Sequence, residues 1–377
     1  MDDVLDGEQP RPIRCPSCLE DLYFDPRRLF LPKGPTHELS PWEPGDETNA
    51  IRRQDLMNQA FLKCPNERPG EHFLPVPYLS HGTPLSIAFV GQSGTGKTHL
   101  LAAMMAEIGR GGLDPYGIHC RSVNTVQHQT FLSKAVSQLE AGQVLPSTDP
   151  ASFVEFTDAL LVTVRGRTRP VAFFDIAGES LTLSGPSTQF LLGVDALIFV
   201  VDTMRALRLP QLVPAREAAG ISQALAGVPD PTFPTVLDRL PRGGDFSDVP
   251  CAVVLNKCDV LRFEDPIDQW LRSGLSADAN KVDPRETYEE SRDVYAFLTQ
   301  HNATAWLRPA HDCRRCSLHF VSATGMSPTA PPGRPDPHGP RKAFVGGVRP
   351  RRVLGPLLSL FTMCGLFDPP VPQLMGV

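Results

Sequence analysis

The residues best suited to chemistry are Gly91, Gln92, Ser93, Gly94, Thr95, Gly96, Lys97 and Thr98. They fit the pattern G-x-x-x-x-G-K-[ST]. Glycines at those places let the backbone turn tightly and aim N–H groups at phosphate oxygens, an arrangement that a following helix N-terminus reinforces. Lys97 would reach the β- and γ-phosphates of a nucleotide, and the Thr98 hydroxyl would ligate Mg²⁺. Three further groups follow in order: Asp175 to Gly178, Asn256 to Asp259, and Ser322 to Thr324. A carboxylate at Asp175 can hold the Mg²⁺ shell, and the Gly178 N–H can meet a γ-phosphate. Each group is weak by itself, because Asp at the end of a strand is usually a turn former. Each, however, closes a segment that reads as a buried strand, and ligands of α/β sheets bind at the carboxyl ends of strands.

A second constellation is made of cysteines. Cys15 and Cys18 have the knuckle spacing of a zinc ribbon, in which two thiolates two residues apart share one tetrahedral ion. No second C-x-x-C lies nearby. Cys64 and His72 are the remaining soft ligands, with His37 and His81 as the other candidates, and Cys15, Cys18, Cys64 and His72 would form a Cys₃His site. The competing reading is a decayed ribbon with free thiols or a redox pair. The stretch from His311 to His319, with Cys313 and Cys316, is also rich in ligands. His319 starts an expected strand while His311 sits in a loop, which argues against one shared ion.

The elements that must position these groups read as follows. Ser86–Val90 is a short apolar run, and Leu100, Leu101, Met104, Met105 and Ile108 repeat at helical spacing until Gly109–Gly112. Ala159–Val164 and Val171–Phe174 read as strands joined by a hairpin-like link. Ala196–Val201 and Ala252–Leu255 are continuous apolar runs of the kind buried in a parallel sheet. His319–Ser322 is expected as one more strand and Val353–Phe367 as a closing helix. Strands alternating with helical patterns predict an α/β fold with a mostly parallel sheet flanked by helices. Residues 1–80 form an expected N-terminal segment, too poor in core residues to fold without a metal staple or docking. Residues 81–377 form the main domain, with insertions at loop positions at about 203–250 and 262–318.

Composition bounds the class. In 377 residues, 39 are proline, about twice the usual 5%. The expected form is therefore a globular core broken by proline-rich loops. A formal charge of −6 weighs against nucleic acid as the main ligand, since that affinity rests on many cationic contacts. The N-terminus carries Asp2, Asp3, Asp6 and Glu8 with no basic residue, so no signal-peptide pattern is read. The longest apolar run, Leu191 to Val201, is too short to span a bilayer and is broken by Asp195. A cytoplasmic protein without a transmembrane segment is expected, its nine cysteines mostly reduced or bound to metal.

With the four motifs in this order, residues 85 to about 370 resemble the translation-factor and Ras-like class of P-loop GTPases. The resemblance implies that Asp259 accepts hydrogen bonds from guanine N1 and N2, that Asn256 and Lys257 frame the base, and that the Ala323 N–H meets O6, beside Ser322. Adenine offers an acceptor at N1 and no 2-amino group, so a carboxylate there favours GTP over ATP. More closely, the chain is similar to a bacterial, largely actinobacterial, group of conflict-associated double-GTPase-type proteins with a zinc-ribbon-like N-terminal segment. The matching stretches are Cys15–Cys18, Cys64 to Pro75, Gly96–Leu101, Phe174–Glu179 and Arg351–Leu358.

That likeness places Glu179 where many Ras-like GTPases carry a water-orienting glutamine. A carboxylate there adds negative charge beside the γ-phosphate, so slow hydrolysis is expected; the plainer role of Glu179 is to start a loop. Thr125, Thr130, Thr148 and Thr157 are eligible to contact Mg²⁺ and the γ-phosphate, and Thr148 matches the group's pattern best. No arginine is assigned to the transition state: Arg205 and Arg208 read as solvated surface. The basic run from Arg334 to Arg352 reads as a flexible, solvated connection. The expectation is a Mg²⁺-dependent GTPase that binds GTP and GDP, holds Zn²⁺ in its N-terminal segment and switches a protein partner in a bacterial signalling or defence system. The alternative is a nucleotide-dependent adaptor with little hydrolysis that binds partners through the N-terminal segment.

Overall fold

A computed structural model describes residues 12–15, 18, 20–33, 38–66, 71–146, 154–176, 193–278, 281–329 and 342–367. Seven strands form the main sheet: β7 (Leu85–Val90), β8 (Ile118–Ser122), β9 (Val154–Val164), β10 (Arg167–Ile176), β11 (Ala196–Asp202), β14 (Cys251–Asn256) and β17 (Cys316–Phe320). Their spatial order is β17-β14-β11-β7-β10-β9-β8. The pairs from β17 to β10 are parallel, whereas β10–β9 and β9–β8 are antiparallel. This is an α/β fold with a mostly parallel sheet. Every residue of β11 and β14 is buried, as expected for strands covered on both faces.

Alternate residues of each strand sort into two cores. Ala88, Val90, Phe199 and Val253 face one, while Ile87, Phe89, Ile198 and Val254 face the other. The second core is closed by the helices Lys97–Gly109 and Gly355–Met363, and the first by the helix Pro284–Gln300 together with shorter helices.

Ahead of the main sheet lies the short antiparallel pair of β1 (Ile13–Arg14) and β2 (Asp21–Leu22). A four-stranded antiparallel sheet follows, in the order β4 (Glu38–Trp42), β3 (Leu29–Lys33), β5 (Phe61–Lys63) and β6 (Phe73–Pro75). Its buried residues Leu29, Leu62 and Leu74 join the first core through Val76 and Tyr78. The segment thus obtains its core by docking. Two minimal hairpins, β12 (Arg242–Gly243) with β13 (Phe246–Ser247) and β15 (Ala277–Asp278) with β16 (Lys281–Val282), punctuate the later connections. No helix among the described residues is long and apolar enough to cross a membrane.

Several expectations are corrected. The last strand is Cys316–Phe320, and the closing helix is the shorter Gly355–Met363. Residues 262–318, expected to be a loop insertion, contain the 17-residue helix Pro284–Gln300, which packs against β17. Asp283 caps it by accepting from the Arg285 N–H, and Pro284 occupies its first position. Its buried apolar residues Val294, Phe297 and Leu298 occupy only the second half. The charged first half hid that periodicity.

Arg352 is the other correction. It is buried at 7% exposure and adopts a left-handed backbone, φ 55°. Its guanidinium donates to both Glu290 oxygens, at 3.1 and 3.0 Å, and pairs with Glu286 at 2.9 Å. Glu290 also accepts from His319 Nδ1 at 2.9 Å and from the Phe320 N–H at 3.1 Å. Burial pushes the Glu290 carboxyl up, but its His319 and Arg352 partners outweigh that and hold it below the usual carboxylate value. One carboxylate therefore ties the helix Pro284–Gln300 to β17 and to the chain entering the last helix. Breaking a buried pair strands its partner charge. Glu290→Ala is expected to cost about 3–5 kcal/mol, measured by denaturant unfolding against wild type.

Candidate functional site

The loop from Gly91 to Gly96 leaves the carboxyl end of β7 and enters the helix at Lys97. Gly94 and Gly96 adopt φ of 81° and 91°. At Gly96 a Cβ would stand 2.7 Å from Asn256 Nδ2, so both conformation and space require glycine. Asn256 is 1% exposed; it donates to Thr95 O at 3.0 Å and accepts from the Ala323 N–H at 3.2 Å. Lys257, itself left-handed at φ 62°, donates to Gly94 O and to Asp202 Oδ2, both at 2.7 Å. Lys97 Nζ curls back to Gly91 O at 2.8 Å and Gln92 O at 3.3 Å, and Thr98 Oγ1 donates to Asp175 Oδ2 at 2.7 Å.

Beyond Asn256, the Ser322 hydroxyl donates to Asp259 Oδ1 at 2.5 Å and accepts from the Gly325 N–H at 2.8 Å. Burial pushes the Asp259 carboxyl up, with the Ser322 hydrogen bond working against it. The loop at Ser322–Thr324 is braced from behind by the returning chain: Ser322 and Arg351 exchange backbone hydrogen bonds at 3.1 and 2.8 Å, and the Arg349 N–H donates to Thr324 O at 2.8 Å.

These groups surround a cavity of about 410 Å³. Ser93, Gly94, Gly96, Lys97, Thr98, Asn256, Lys257, Asp259 and Ala323 line it, whereas Gly91, Gln92, Thr95, Asp175 and Ser322 support the lining from behind. The motifs read from the sequence are therefore brought together by the carboxyl ends of β7, β10, β14 and β17. Thr148, Gly178 and Glu179 lie outside the described residues. The cavity lining carries Lys97, Arg205, Lys257 and Lys342 against the carboxylate of Asp259. That excess of cations suits a polyanion.

Sequence reasoning missed several residues here. Arg205 is a wall of the cavity, not solvated surface. Asp202, directly after the apolar run Ala196–Val201, accepts from Lys257 at 2.7 Å from 55 residues away. Asp230 accepts from the Gln92 N–H at 2.8 Å from 138 residues away, with no local signal. His99 accepts from the Leu145 N–H at 3.1 Å, and burial, aided by Lys257, pushes its imidazole down to about 4, so it is neutral at pH 7. With Phe344 edge-on at 5.9 Å, it closes one side of the cavity.

The N-terminal ligands also meet. The ligand atoms of Cys15, Cys18, Cys64 and His72 lie within 4.8 Å of one another. Cys18 Sγ and Cys64 Sγ are 3.6 Å apart, close to the edge of about 3.8 Å expected for a tetrahedron with 2.3 Å metal–sulfur bonds. Two hairpins present them: the Cys15 N–H bonds to Glu20 O at 2.9 Å beside the β1–β2 pair, and the Cys64 N–H to His72 O at 3.0 Å where β5 and β6 diverge. Three sulfurs and an imidazole at this spacing fit a metal ion. His37 lies outside the described residues, and His81 Nδ1 instead bonds within its own turn, 3.1 Å from Pro77 O. The His311–His319 stretch splits: Cys313 and Cys316 turn inward towards Cys251, while His319 faces Glu290.

No protein-family model matches the chain, and no match was found among curated proteins. The geometry and chemistry of the two sites therefore carry the interpretation. Metal analysis of the purified chain is expected to give about one equivalent of ion, and Cys64→Ser less than about a third of one, with a lower unfolding midpoint.

Proposed function

We propose that the chain is a P-loop GTPase, a GTP-binding protein whose slow, Mg²⁺-dependent hydrolysis works as a molecular switch. The observation that carries this reading is the Asn256 carboxamide, which joins the glycine-rich loop at Thr95 to the Ala323 N–H on the far side of one cation-lined cavity. A nucleotide laid across that cavity would meet loop N–H groups at its phosphate end and the Asp259 carboxylate at its base end. Guanine N1–H and its 2-amino group both donate, as Asp259 requires.

The residues divide the work. Lys97, now on the carbonyls of Gly91 and Gln92, would exchange them for phosphate oxygens. Lys257 and Asn256 hold the loop and the base side in one frame. Thr98 and Asp175, already 2.7 Å apart, fit Mg²⁺, as a hydroxyl and a carboxylate are hard oxygen donors. When bound, that ion would neutralise charge on the β- and γ-phosphate oxygens. Gly178 and Glu179 would meet the γ-phosphate and the attacking water, and Thr148 the ion. In the same proposal Cys15, Cys18, Cys64 and His72 hold Zn²⁺, and a protein partner in a bacterial signalling or defence system reads the switch.

Titration with fluorescent nucleotides tests the base assignment. GTP is expected to bind in preference to ATP, and Asp259→Ala to weaken GTP by at least about 100-fold while leaving ATP unchanged, since two hydrogen bonds to a charged acceptor are lost. ATP binding tighter than GTP and indifferent to Asp259→Ala would sink the assignment. Acidification supplies a second readout. Because burial raises the Asp259 carboxyl, it protonates at a higher pH than an exposed aspartate, and the protonated form no longer accepts from both guanine donors. GTP affinity is expected to hold at neutral pH and fall on acidification before the exposed carboxylates titrate.

A further inference from the structure

Arg205 is a cavity-lining cation to which the motifs assign no task. It sits in the turn Thr203–Ala206 that follows β11, beside Ser93 and Gly94. Its Nη1 donates to Gln92 Oε1 at 3.1 Å, and its Nη2 lies 3.4 Å from where a Cβ on Gly94 would stand. Its Nε is buried, has no hydrogen-bond partner among the described residues, and is 3.9 Å from Asp202 Oδ2. That oxygen already takes Lys257 Nζ at 2.7 Å. The guanidinium thus has one neutral acceptor and a share in a carboxylate held by a closer cation. Among the described residues its charge is shared with Asp202 alone, at the rim of the loop expected to hold phosphates.

The turn that carries it is held in place on every side. Asp202 Oδ1 accepts from the Met204 N–H at 2.9 Å. Arg216, 2% exposed, donates to Met204 O at 2.7 Å and also to Leu207 O. The Gly227 N–H donates to Arg205 O at 2.7 Å. Carbonyls before, at and after Arg205 are therefore all fixed, which is the preorganisation that charge stabilisation needs. Arg208, three residues on, differs: its Nε donates to Ala226 O at 3.0 Å and it does not line the cavity.

We propose that Arg205 is a catalytic residue supplied in cis, whose guanidinium contacts phosphate oxygens over Gly94 and holds them more tightly as the γ-phosphoryl group departs. The proposal rests on the GTPase reading. In the step concerned, a water oxygen bonds to Pγ while the bond from Pγ to the β–γ bridging oxygen breaks. The electron pair of that bond stays with the β-phosphate of GDP. One water proton remains on the departing hydrogen phosphate and the other passes to solvent. Negative charge grows on the β-side oxygens, where a fixed cation lowers the barrier without tightening the ground state equally.

The test uses the full chain with Arg205→Ala and Arg205→Lys. Three quantities are read: affinities for fluorescent GTP and GDP analogues, the single-turnover rate at saturating GTP, and the fluorescence response of the GDP complex to aluminium fluoride, a transition-state mimic. For Arg205→Ala the affinities and melting temperature are expected to stay close to wild type, within about threefold for binding, while the rate falls at least about 30-fold and the fluoride response disappears. Arg205→Lys is expected to fall between, since a point charge replaces the planar fork. An Arg205→Ala chain that keeps both rate and fluoride response overturns the proposal and leaves the GTPase reading standing. So does one whose affinities, rate and melting temperature all drop together, which marks a structural brace for Gln92. A wild-type chain that binds GTP but shows neither hydrolysis nor fluoride response also overturns it. If the wild-type chain binds no guanine nucleotide, the GTPase reading itself fails, and this proposal with it.

Discussion

The cavity depends on the side chain of Asn256. Its amide reaches Thr95 O and its carbonyl takes the Ala323 N–H, so one buried carboxamide sets the distance between two loops far apart in sequence. The constraint propagates outward. Gly96 must lack a Cβ because Nδ2 fills that space. Thr203, buried, donates its hydroxyl to Asn256 O at 2.6 Å, which fixes where β14 ends relative to the turn after β11. Replacing such a bridge would leave a donor and an acceptor buried without partners, which costs more than the hydrogen bonds contribute when formed.

Charge is arranged around that frame by sharing. Asp202 serves Lys257 directly and Arg205 at longer range, while Asp230 takes the Gln92 backbone. Four cations but one carboxylate line the cavity itself, within a chain of net charge −6. On the other side of β17, Glu290 does the opposite: it pairs with Arg352, meets His319 Nδ1 at 2.9 Å, and locks elements together. The two networks meet along 349–352, where Arg349 and Arg351 brace the Ser322–Thr324 loop and Arg352 anchors that brace in the core.

Much of the fold could be read from local pattern. Runs such as Ala196–Val201 and Ala252–Leu255 read as buried strands from their shortness and continuous apolar character, and the helix after Lys97 follows from its apolar spacing. The helix Pro284–Gln300 was missed because only its second half is apolar, and β8, with exposed His119 and Arg121 alternating with buried or half-buried neighbours, lacked a continuous run. Arg205 and Arg352 read as solvated from the sequence for a shared reason. Arginine is usually outside, and Gln92 beside Arg205 and Glu286 and Glu290 beside Arg352 are all distant in the chain.

The sequence by itself determined which motifs end at the carboxyl edge of the sheet and singled out Cys15, Cys18, Cys64 and His72 as one ligand set for the N-terminal segment. In both cases short spacing or strand ends confine the side chains to one place: a loop of eight residues, a C-x-x-C knuckle, the carboxyl edge of a parallel sheet. Tertiary structure decided what those residues lean on. That Asn256 bridges Thr95 and Ala323, that Asp230 holds Gln92, and that Arg216 fixes the turn bearing Arg205 are contacts between groups many residues apart. Their geometry comes from how strands stack and helices cross, and no local spacing encodes it.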